Sequence, residues 1–104
     1  MDHSRYLAYR SATRSLDGTP EGVLDEYERE RLRDTAEGLL LTCDRDEAER
    51  LRCDAAVALS LLVGQRRCDD AWADGLWNEI SDSGPRDPLR ASRRARALTF
   101  AGAL

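Results

Sequence analysis

The sequence contains no lysine. All 16 of its basic residues are arginine, and Met, Ile, Phe, Asn and His occur once each. Arginine, alanine and glycine codons are GC-rich, so this profile implies a high-GC bacterium or a phage of one. Histidine is almost missing as well: His3 stands alone near the start. The three cysteines, Cys43, Cys53 and Cys68, form no CxxC pair and are spaced ten and fifteen residues apart. A structural zinc site needs closely paired ligands, so the chain offers none, and no cofactor or metal is expected. There is no nucleophile elbow and no glycine-rich phosphate loop, and the expectation is a non-enzymatic protein. The stretch "DAWADG" (70–75) imitates part of a calcium loop. It fails at the ligand places, where Trp72 and Ser81 stand instead of an acid and a bidentate glutamate.

Long apolar runs are absent too. The longest uncharged stretch is Ala55–Gln65, too short for a membrane span. "MDHSRYLAYR" has no apolar segment of the secretory kind. The expectation is a cytoplasmic protein with reduced thiols and no membrane partner.

What is present is charge, alanine and a thin set of large apolar residues. Charged residues make up 35% of the 104 positions, with a net charge of only −4. Fourteen alanines accompany 20 residues of Leu, Ile, Val and Phe. This is enough for one modest core, and small side chains suit closely approaching helices. A single domain is expected, in three stretches. Residues 1–19 are near neutral. Residues 20–83 hold eight arginines against 17 acids, net −9, and residues 84–104 hold five arginines against one acid, net +4.

Helical periodicity dominates, and no stretch alternates with period two. The fold class is therefore all-α, a small bundle of three main helices with shorter terminal ones. The first main helix is expected to start after Thr19, with Pro20 in its first turn. Leu24, Tyr27, Leu32, Ala36, Leu39, Leu40 and Cys43 recur along it. The second starts at Asp44, with Glu47 placed as in a capping box. It is apolar on most of its circumference once Cys53, Val57 and Leu61 are added to its stripe, so it reads as the central helix. The third starts at Asp69 or Asp70 and stops before Gly84–Pro85. Residues 4–16 and the segment opened by Asp87–Pro88 are the shorter terminal helices.

Trp72 and Trp77 are five residues apart, about 140° around a helix, so one neighbour can hardly bury both. Trp72 is expected in the core and Trp77 at an edge or interface. In the C-terminal segment, Arg90, Arg93 and Arg94 surround a weak apolar side that includes Leu89, Leu98 and Leu104. That segment is expected to pack against acidic protein, its own or a neighbour's. The function expected is a small protein-interaction module, an adaptor, inhibitor or regulator. Trp77, Arg90, Arg93, Arg94 and Leu98 are its partner-binding residues, and self-association as a homodimer is included. The alternative is a regulator that binds nucleic acid through the arginine-rich segment, a reading weakened by the acidity of the rest of the chain.

Overall fold

The computed structural model describes residues 3–85. They form four helices, α1 (His3–Asp17), α2 (Glu26–Leu41), α3 (Arg45–Gly64) and α4 (Asp70–Asp82), with no strand among the described residues. The all-α bundle expected from the sequence is the fold. The N-terminal helix is not a minor element, however: its 15 residues exceed the 13 of α4.

Three aspartates set where the later helices begin. Asp25 accepts from the Glu28 N–H, and Glu28 accepts in return from the Asp25 N–H, a complete capping box. Asp44 accepts from the N–H groups of Asp46 and Glu47, and Asp69 from that of Trp72. Two expectations are corrected here. The helix expected from Thr19 begins at Glu26 instead. Pro20 does open a turn, its carbonyl accepting from Val23 and Leu24. The turn closes before Asp25, where the reciprocal cap is stronger, and the Thr19 hydroxyl turns back to the Ser15 carbonyl at the end of α1. At Asp44 the cap is present, but its return arm is relayed. Glu47 accepts from the Thr42 hydroxyl, which itself accepts from the Asp44 N–H.

α1 packs on α2 and α4, α3 packs on the same two, and α1 does not touch α3. The pair α2 and α4, in mutual contact, is therefore the middle of the bundle, and α3 is not the central helix. With only two neighbours, α3 leaves a strip uncovered, and Val57 and Leu61 remain 41% and 60% exposed. Tyr27 and Cys43, expected on the apolar side of α2, are exposed as well.

Leu16, Leu24, Leu32, Leu39, Leu59, Leu76 and Ile80 are buried together with six alanines, from Ala12 to Ala73. Trp77 lies among them at 2% exposure, and its indole N–H donates to the Arg52 carbonyl across 3.0 Å. This reverses the expectation for the two tryptophans. Trp77 is the core anchor, and Trp72 is only half-buried at the margin. Ala73, Leu76 and Ile80 accompany Trp77 on the buried side of α4, which packs against α1, α2 and α3.

None of α2, α3 and α4 has a basic residue in its last turn, where a cation would favour the helix dipole. Distant arginines supply it for α2 and α4. Arg5 of α1 donates to the carbonyls of Leu39, Leu40 and Thr42 at the end of α2 and to that of Ser83 at the end of α4. Arg52 of α3 donates to the carbonyls of Ser81 and Pro85 and to the Ser81 hydroxyl. Arg29 of α2 donates to the carbonyls of Leu16 and Leu24 beyond the end of α1. These carbonyls lie at helix ends or in turns, some of them with no other donor in reach of the helix ladder, and bonds of this charged kind contribute about 1.5–3 kcal/mol each. The chain is tightly confined where it leaves α4: a Cβ on Gly84 would come within 2.7 Å of the Leu39 side chain and 2.9 Å of the Arg52 guanidinium.

α3 ends at Gly64 as expected, but the left-handed residue is Arg66, at φ 59°. Its N–H donates to the Val63 carbonyl and that of Arg67 to the Leu62 carbonyl, the pairing of a Schellman cap.

Candidate protein-docking groove

Two surface hollows adjoin between α2 and α3, and Tyr27 and Arg31 line both. One, of about 200 Å³, is completed by Leu32, Ala58, Leu61, Leu62 and Gln65 with Asp25 and Glu28. The other, of about 320 Å³, is bounded by Glu30, Asp34, Thr35 and Leu51. Together they make one shallow groove. Its apolar surface is Tyr27, Ala58, Leu61 and Leu51, and Glu30 and Asp34 stand exposed beside it.

The local sequence explains why the groove stays open. Tyr27 falls in the second position of α2, in the run "EYERER", on the side away from α1 and α4. There it is 74% exposed, more than any other large apolar side chain of the described residues. The buried arc of α2 is carried by Arg29, Leu32, Ala36 and Leu39.

An ion pair fixes the end of the groove nearest the α3–α4 connection. Both guanidinium nitrogens of Arg67 meet the Glu28 carboxylate, at 2.8 and 2.5 Å. The fork–fork geometry holds α2 to the segment following α3. The Arg67 hydrogen bonds, helped by the Asp25 N–H and opposed by partial burial, hold the Glu28 carboxyl below the usual glutamate range. Arg33 pairs similarly with Asp17, tying α2 to the end of α1. Between α1 and α4, the Glu79 carboxylate accepts from the hydroxyls of Ser11 and Ser15.

A second concavity, of about 560 Å³, lies at the margin where Trp72 emerges. It is walled by Pro20, Val23, Trp72, Arg14, Arg67 and Cys68, among others. Cys53 packs against the core, and burial beside Glu49 and Asp54 pushes its thiol up, away from the reactive thiolate. No disulfide joins Cys43, Cys53 and Cys68. Among the described residues no cluster of three His, Cys, Asp or Glu side chains could hold a metal ion. No helix among them is long and apolar enough to cross a membrane.

Of the partner-binding residues expected from the sequence, Trp77 lies in the core. Arg90, Arg93, Arg94 and Leu98 lie outside the described residues. Sequence reasoning missed Tyr27 and Leu61, assigning both to buried stripes. The signal was available at Tyr27: five charged residues occupy positions 26 and 28–31 around it, a setting better suited to a solvated face than to a core.

Among the described residues these features define a bundle of four helices with an acid-flanked apolar groove. No family model, curated protein or solved structure matches the chain.

Proposed function

We propose that this protein is a non-enzymatic interaction module whose α2–α3 groove receives a basic, amphipathic segment of a partner protein. The observation that carries the reading is the exposure of Tyr27 and Leu61, 74% and 60%, in one groove beside Glu30 and Asp34. An aromatic ring anchored at one end and free at its face is the commonest kind of binding hot spot. The acids complement a cationic partner and disfavour nucleic acid, whose phosphates they would repel. Helix-in-groove docking fits the dimensions, since the floor runs along two adjacent helices. In this role the protein acts as an adaptor or inhibitor, in the compartment where its thiols stay reduced.

The reading is tested by titrating the isotope-labelled full chain with a synthetic helical peptide that carries leucines on one face and arginines on the other. Resonance shifts are expected to concentrate at Tyr27, Arg31, Ala58 and Leu61. Shifts confined to the Trp72 cleft, or spread evenly over acidic positions, would contradict it. A parallel titration with duplex and single-stranded oligonucleotides covers the nucleic-acid alternative. Saturable, salt-sensitive binding there, with no response to the peptide, would put that alternative first.

A further inference from the structure

We infer that the chain's own residues 86–104 occupy the α2–α3 groove, so that a partner segment must displace them. This rests on the reading of the groove as a docking surface. Three observations on different parts of the molecule converge on it.

The first is where the described chain leaves off. The Pro85 carbonyl is held by Arg52 at 2.6 Å, and the neighbouring residue of α3, Leu51, lines the near end of the groove. The described chain therefore leaves off against α3, one of the two helices that wall the groove.

The second is the order of chemistry along the segment and along the groove. Residues 86–96 carry five arginines, whereas 97–104, "ALTFAGAL", carry no charge. Away from Leu51 the groove presents Asp34 and Glu30, then the apolar floor at Tyr27 and Leu61. Basic stretch meets acids and uncharged stretch meets apolar floor, in the same direction. Reach permits it. From Arg52 to Leu61 is nine residues of helix, about 14 Å. The 11 residues from 86 to 96 span about 17 Å as a helix. Extended, they span up to about 36 Å.

The third is charge. Residues 3–85 hold 11 arginines and 18 acids, net −7, against net +4 for 86–104. Exposed ion pairs contribute only about 0–1 kcal/mol each, so the arginines orient the segment while Leu98 and Phe100 hold it.

The test uses the full chain with Leu98→Asp and, separately, Phe100→Asp. In each variant the resonances of Tyr27, Ala58 and Leu61 are expected to move relative to the parent, with those of Tyr6 and Leu7 on α1 unchanged. The leucine–arginine peptide should bind each variant about tenfold more tightly than the parent, the factor for a groove nine-tenths occupied in the parent. If the peptide binds parent and variants alike and the groove resonances coincide, self-occupation is overturned and the groove reading stands. If the peptide binds none of them, both fall. If the groove resonances of the parent depend on protein concentration, the segment sits on a second copy, and occupation within one chain is overturned. Melting curves of both variants, expected to match the parent, guard against global unfolding as the cause of the shifts.

Discussion

Two regions of this molecule use the same residue types to opposite ends. Where α2 and α4 finish, the Arg5 and Arg52 guanidinium groups donate to carbonyls of the helix ends, and Leu39 lies close against Gly84. No buried side-chain nitrogen or oxygen among the described residues lacks a partner. In the α2–α3 groove, Arg31, Leu61 and Tyr27 face solvent. The contrast separates holding the fold from meeting a partner. An arginine that satisfies backbone carbonyls belongs to the stability of the bundle, and one beside an exposed ring belongs to its surface. The composition is alike in both places, so only the packing tells them apart.

The largest effect is expected at the core anchor. Trp77→Ala should lower unfolding free energy by about 3–5 kcal/mol in chemical denaturation, through the cavity left and the lost bond to the Arg52 carbonyl. A loss under 1 kcal/mol would return Trp77 to the surface role expected from sequence. Next comes the direct comparison of arginines. Arg52→Met should cost about 1–3 kcal/mol, because the Ser81 and Pro85 carbonyls and the Ser81 hydroxyl lose the guanidinium. Arg31→Met, in the groove, should stay within about 0.5 kcal/mol of the parent. Equal effects at the two sites would erase the distinction between the regions.

Smaller, and of opposite sign, is Arg66→Gly. At φ 59° an L-residue is strained, so glycine should raise stability by about 1 kcal/mol, visible as a higher thermal midpoint. The smallest effect concerns pH. The folded state lowers the pKa of Glu28, so its pairing contributes above the unfolded value and is lost as pH falls through the folded one. The stability gap between the parent and Glu28→Gln should therefore be present at neutral pH and close once the pH falls well below 4.5, the ordinary value for that carboxyl. A gap that widens in acid would contradict the assignment.

Much of the bundle was legible in the sequence because its determinants are local. Asp44 and Asp69 act as caps within three residues of their partners, and Gly84–Pro85 stops α4 by backbone chemistry alone. The start of α2 was misplaced because Thr19–Pro20 and Asp25–Glu28 are both start signals, and the reciprocal cap at Asp25 is the one that forms while the Thr19 hydroxyl turns back to α1. Periodicity also placed a broad apolar arc on α3, yet it cannot count neighbours, and with only two the arc stays partly bare. The tryptophan pair shows the same limit. Their angular separation was sound, but which one faces inward depends on where α2 and α3 lie. The arginine caps were illegible for a simpler reason: Arg5 and Ser83 are 78 residues apart. The groove inherits both limits, since Tyr27 and Leu61 lie on different helices and each fits a stripe that reads as core.

The central claim is that the groove serves recognition and not stability. It is tested most directly by one doubly substituted chain, Tyr27→Ser with Leu61→Ser, examined by calorimetric titration with the leucine–arginine peptide and by denaturation in parallel. Both side chains are exposed and lie outside the core, so stability should stay within about 1 kcal/mol of the parent. Peptide affinity should fall at least about tenfold, some 1.4 kcal/mol. Unchanged affinity, or a loss of stability on the scale of Trp77→Ala, would contradict the account.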